Sequence, residues 1–278
     1  MTGFLPVRSE GGCRSQVWLA IIRCQAPPHT ASGYDTALNE LKAGVSVADL
    51  QAHMKAGKYT AVNLTQAARD QIKAKNSELH AVITVNPDAL KRAKESDEAR
   101  KVGKNLGPLM GIPVLIKDNI ETADIMPTTA GSMALVANIT HRDAPVVARL
   151  RAGGAIILGK TNLSEWANIR STHSVSGWSG VGGLTANAVD HARTACGSSS
   201  GSGAGVAAGL APLAVGTETD GSVTCPSSMN GLVGLKPTVG LVSRTYVVPI
   251  SHSQDTPGPM GRSVADIAAM LTVMAGSD

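Results

Sequence analysis

The chain has 278 residues, 43% apolar but only 3% aromatic, so Ala, Val, Leu and Ile must build the core of one large domain or two small ones. Its net charge of +4 is spread without a basic cluster, which argues against nucleic acid or a membrane surface as partner, and no apolar run reaches the roughly 18–20 residues of a membrane span. The four cysteines form no C-x-x-C pair and the seven histidines no H-E-x-x-H, so the sequence reads as a chain without metal or cofactor in a reducing, cytoplasmic setting.

Residues 1–40 read as an irregular extension, since Pro27-Pro28 and scattered polar residues show no period and the apolar run Val17 to Ile22 is too short for a secretory core. A single domain is expected over 41–278. Ser46 opens a helix with Val47, Leu50 and Met54 on one face, and a second helix runs from about Thr60 to Asn76. The β-branched run from His80 to Asn86 is a strand. Asn86-Pro87 then caps a charged helix extending to about Lys104.

Gly111 to Asp118 is a continuous apolar run ending in Lys117 and Asp118, the pattern of a buried parallel strand with charges at its C-terminal end. A helix capped by Asp143 runs to Ala152, and Ala155 to Gly159 is the next strand. Strand, helix, strand is a βαβ unit, in which ligands gather beyond the strand C-terminal ends. The fold class is therefore α/β, a mixed and largely parallel sheet covered by helices on both faces. Residues 171–203 lack periodicity and are long for a structureless loop, so they are either functional or disordered. Gly203 to Leu210 reads as a small-residue helix, Leu213 to Gly216 and Gly231 to Pro237 as strands, and Ser263 caps a last helix bearing Val264, Ile267, Leu271 and Met274.

The stretch 194–226 concentrates glycine and serine around two tight turns, with the apolar run Val206 to Val215 between them. A flexible linker has no use for such a run, whereas a site that packs backbone N–H groups and hydroxyls closely does. Gly197 to Gly201 formally matches G-x-S-x-G with Ser199 at its centre, and Asp220 and His252 follow in triad order, but the preceding segment is a poor strand. Gly201-Ser-Gly-Ala-Gly205 lacks the strand that a dinucleotide loop requires. Amide hydrolysis by a serine needs a base, and no histidine lies near either serine turn in sequence. A lysine at a buried strand end serves if burial leaves it neutral, and Lys117 has that position.

These residues resemble the amidase signature family. The resemblance rests on Cys196-Gly-Ser-Ser-Ser-Gly-Ser202, Gly216-Thr-Glu-Thr-Asp-Gly-Ser222 and Gly111-Ile-Pro-Val-Leu-Ile-Lys-Asp-Asn119, supported by 159–165, 231–237 and 254–259, in order over about 46–278. Segments 174–180 and 218–226 are similar to the peptide amidase branch of that family. The resemblance implies Ser222 as nucleophile, Ser198 as a bridging serine after a cis Gly197–Ser198 bond, Lys117 as base and Ser199 in support. It places the oxyanion hole at the N–H groups of Thr219, Asp220, Gly221 and Ser222. The implied reaction hydrolyses a carboxamide, such as a peptide C-terminal amide, through an acyl-enzyme with release of ammonia. Asp220 stands where much of the family has Gly, Thr224 where many members have Arg, and Cys196 where they have Gly. Family members continue well beyond the last residue here, so the expected scaffold is incomplete at the C-terminus, with an unpaired sheet edge. A non-catalytic homologue, or a hydrolase using Ser199, are the alternatives.

Overall fold

The computed structural model describes residues 32–276. The expectation for the first part of the chain therefore falls outside the described residues up to 31. Within the span read as an extension, helix α1 (Gly33–Ala43) is already formed, capped by a reciprocal pair between Ser32 and Asp35. Helices α2 (Val47–Lys55, capped by Ser46) and α3 (Ala61–Leu79, capped by Thr60) follow as their apolar spacing predicts, burying Leu50, Met54, Leu64 and Ile72.

One six-stranded mixed sheet organises the described residues. Its strands are β1 (Val82–Val85), β2 (Pro113–Lys117), β3 (Ile156–Thr161), β6 (Leu213–Glu218), β7 (Val233–Gly234) and β8 (Thr256–Gly261), in the order β1-β3-β2-β6-β8-β7. The centre, β3-β2-β6, is parallel, and β1, β8 and β7 pair antiparallel outside it. Helix α5 (Pro145–Ala152) makes the crossover between β2 and β3, the expected βαβ unit. β2, β3 and β6 are buried along their whole length, which accounts for the apolar runs that open them, and the polar residues at their C-terminal ends, Lys117, Lys160, Thr161, Thr217 and Glu218, are buried with them.

Two expected caps differ. Helix α4 (Ala89–Lys101) begins after Asp88, while Asn86 is drawn into the sheet, its Nδ2 donating to Ile157 O. Asp143 does not cap α5; it accepts from Ala123 N at 2.7 Å and pairs with Arg151. Asp143 is drawn away by its tertiary partners, whereas Asn86 keeps a local bond beside its tertiary one, its Oδ1 accepting from Asp88 N at 2.9 Å. Segment 171–203 is built rather than loose, with a short hairpin of β4 (Trp178–Ser179) and β5 (Gly183–Leu184).

Helix α6 (Ser200–Ala207) is made almost wholly of small residues because it lies directly on backbone and packs on β2, β3, β6 and β8. Gly201 N donates to Asn162 O, and Ser202 Oγ donates to Val215 O at 3.0 Å. A Cβ on Gly201 would press on Ala81 O and lie 2.6 and 2.7 Å from Asn162 N and O. These are backbone atoms of two neighbouring segments and cannot swing aside. Gly201→Ala is therefore expected to destabilise the chain by about 3 kcal/mol, read by denaturant unfolding. Helices α7 (Thr224–Met229) and α8 (Val264–Met274) complete the order, α8 packing on α5 and β8. Among the described residues no helix is long and apolar enough to cross a membrane.

Candidate active site

Lys117 closes β2, the strand between β3 and β6, and is fully buried. Its Nζ donates to Ser198 Oγ at 2.7 Å and to Thr217 Oγ1 at 2.8 Å, with Thr217 O at 3.3 Å. Asn119 Nδ2 donates to the same Thr217 hydroxyl at 3.0 Å, so the last turn of β6 and the end of β2 are joined through one oxygen. Burial lowers the Lys117 ammonium to about 7, against the carboxylates of Glu218 and Asp255, which pull it upward. Near neutral pH a large share of this amine is unprotonated and able to take a proton.

The two serine turns meet in front of it. The Gly197–Ser198 peptide is cis, and Ser198 is fully buried. Ser199 N donates to Ser222 O at 3.1 Å, fixing the Ser222 turn against the serine loop. Ser222 follows the left-handed Gly221 (φ 80°), the conformation glycine provides most readily. Ser222 lines a cavity of about 440 Å³ together with Gly197, Thr219, Asp220, Gly221 and Asn168. A volume of this size suits a small amide or the end of a short peptide.

Ser199 is not placed to attack anything. Its Oγ donates to Thr217 O and accepts from Thr217 N, both at 3.2 Å, and it is fully buried. Asp220 and His252 are both exposed. The geometry thus leaves Ser199 as a tie between the serine loop and β6, contrary to the alternative with Ser199 as nucleophile.

The turn expected to supply oxyanion donors differs from that expectation in one group. Gly221 N donates to Glu218 Oε1 at 3.0 Å, so this N–H is engaged inside the protein. The N–H groups of Thr219, Asp220 and Ser222 remain as candidates. Glu218, unforeseen from the sequence, also accepts from Val223 N at 2.7 Å and Thr224 N at 2.8 Å and so caps the start of α7. Asp255, equally unforeseen, accepts from Thr219 Oγ1 at 2.5 Å and from Ile250 N and Ser251 N. Glu218 directly precedes the second turn, whereas Asp255 lies far from both turns in sequence, and the role of each depends on contacts that form only in the folded chain.

A second buried lysine lies one strand away. Lys160 donates to Ile120 O at 2.6 Å and Thr128 Oγ1 at 2.8 Å and sits 3.7 Å from Asp118. Burial lowers it to about 8 and raises Asp118 to about 6, each moderated by the other's charge. None of its hydrogen bonds goes to a serine, which separates it from Lys117.

Cys196 and Cys225 form a disulfide with Cα atoms 5.9 Å apart, one cysteine beside Ser198 and the other three residues after Ser222. This removes the ground on which the cysteines suggested a reducing setting. The sequence pattern could not reveal the pair because 29 positions separate them.

The crystal structure of native peptide amidase from Stenotrophomonas maltophilia superposes with a TM-score of 0.82 at 57% identity, covering 84% of this chain and 48% of that one. The fold is thus the mixed α/β fold of the amidases. A family model for Amidase matches residues 63–278, and the chain belongs to that family. A putative amidase of Arthroderma benhamiae is 48% identical over 229 residues, 82% of this chain and 39% of the relative. A probable amidase of Arabidopsis thaliana is 45% identical over 235 residues, 84% of this chain and 46% of the relative. The chain therefore spans about two-fifths to one half of the length of these proteins.

Proposed function

We propose that the chain carries the nucleophile and base of an amide hydrolase acting on a peptide C-terminal amide or a similar small carboxamide. The observation that carries this reading is the 2.7 Å hydrogen bond from the buried Lys117 Nζ to Ser198 Oγ, beside the turn that bears Ser222. Neutral Lys117 takes the Ser198 proton as Ser198 takes that of Ser222, and Ser222 Oγ attacks the amide carbon. The N–H groups of Thr219, Asp220 and Ser222 stabilise the tetrahedral oxyanion. The proton returns through Ser198 to the leaving nitrogen, ammonia departs, and water hydrolyses the acyl-enzyme by the same relay. The likeness to a peptide amidase at 57% identity supports the choice of substrate.

The test is ammonia release from a C-terminally amidated dipeptide between pH 6 and 9, run beside a circular dichroism melt of the same sample. Release that disappears in Ser222→Ala is the expected result. A folded chain that releases none would overturn the proposal and favour the non-catalytic alternative.

A further inference from the structure

We propose that Asn168 is a substrate-recognising residue whose Oδ1 accepts an amide N–H of the molecule bound in the Ser222 cavity. The inference rests on reading that cavity as an amide site. Asn168 lines the cavity together with Ser222 and the oxyanion turn. Its Nδ2 donates to Ser176 Oγ at 3.3 Å, and its backbone O accepts from Ser174 Oγ at 3.0 Å. Its Oδ1, by contrast, is buried and has no hydrogen-bond partner. A buried carbonyl oxygen without a donor is unfavourable, and one beside a nucleophile turn is explained by a donor that arrives with the ligand.

The backbone supports the same conclusion independently. Trp166, Ala167 and Asn168 have φ of 52°, 53° and 75°, three successive non-glycine residues in the left-handed region. Single residues visit this region with some strain, and a run of three persists only when its surroundings impose it. Here Trp166 N donates to Ala130 O and Ala167 N to Ser164 O, both at 2.8 Å, and Ser164 N donates to Ser198 O at 3.0 Å. The strained run is thus pinned to the bridging serine itself, which fixes the position of Asn168 relative to the catalytic turns. Strain of this kind at a cavity wall is characteristic of residues that hold a ligand.

The ligand chemistry is that of an amide N–H, which a peptide amide offers at two places: the backbone nitrogen and the terminal carboxamide. The test uses the full chain carrying Ser222→Ala and measures dissociation constants by isothermal titration. Three probes are compared: N-acetyl-leucinamide, its analogue methylated on the backbone nitrogen, and its analogue dimethylated on the carboxamide. Asn168→Gly removes the acceptor while suiting the left-handed backbone, and Asn168→Asp keeps an oxygen acceptor there. One of the two methylations is expected to weaken binding about tenfold when Asn168 is present. That difference should vanish in Asn168→Gly and return in Asn168→Asp, and the methylation that matters identifies which N–H is bound. A methylation penalty unchanged in Asn168→Gly would overturn the inference, as would no binding of N-acetyl-leucinamide to the folded chain. A purely structural role for Asn168 would shift all three constants together and leave their ratios unchanged. If the recognition pattern holds but the wild-type chain releases no ammonia, the hydrolase reading fails and the recognition by Asn168 stands.

Discussion

Replacing Lys117 with methionine is expected to lower amide hydrolysis by about 10,000-fold while the chain remains folded. Methionine fills a similar buried volume but offers no lone pair to Ser198, so the Ser222 proton has nowhere to go. The wild-type rate carries the mark of the same group. Burial brings Lys117 to about 7, so the neutral fraction, and kcat/KM with it, should climb steeply below that pH and level off above it. Stability moves in the same direction. The unfolded chain holds this proton up to the ordinary lysine value of 10.5, whereas the folded chain releases it near 7. The unfolded state thus binds more protons across that window, and Lys117 contributes stability that rises with pH through it. The melting temperature of Lys117→Met should consequently gain less between pH 7 and 9 than that of the wild type. A rate flat from pH 6 to 8.5, or substantial hydrolysis by the methionine variant, would remove Lys117 from its assigned role.

Breaking the Cys196–Cys225 bond should have the second large effect. The bond closes a loop of 29 positions that contains both Ser198 and Ser222. Closing a loop of that size in the unfolded chain stabilises the native state by about 3–4 kcal/mol on the chain-entropy account. For a domain of this size that corresponds to a fall of roughly 6–16 °C in Tm on adding reductant. Cys225→Ser should melt at the lower temperature whether or not reductant is present. On the proposed mechanism hydrolysis should fall as well, since the bond holds the serine loop and the Ser222 turn together. Melts that superimpose with and without reductant would show that the two thiols are not joined in the protein.

The residues proposed for catalysis could be singled out in the sequence because each sits in a locally marked segment. Lys117 ends an apolar run with the pattern of a buried parallel strand, and Ser198 and Ser222 lie in turns whose glycines mark them. What escaped was set by distant partners. Helix α7 contains a proline and weak helix formers, and no side chain of its own caps it; Glu218, from the preceding strand, binds the N–H groups of Val223 and Thr224. Strand β8 reads Thr-Pro-Gly-Pro-Met-Gly, a loop by any local rule. It survives in the sheet because both prolines face one side. Pro259 O accepts from Leu235 N, on the flank of β7, and Pro257 lies two residues away with the same orientation. The missing N–H groups thus fall where β7 contributes only two residues, leaving the β6 ladder intact.

That arrangement bears on how the described sheet meets other molecules. A long flat edge strand offers a row of unpaired N–H and C=O groups on which a second chain can add. Here one border is β1, four residues with a register shift between Val82 and Thr84, and the other is the two-residue β7, backed by the prolines of β8. Neither border presents enough regular backbone to template another strand. The sheet is therefore protected against edge-to-edge aggregation by brevity and irregularity, although its strands are among the most apolar segments of the sequence.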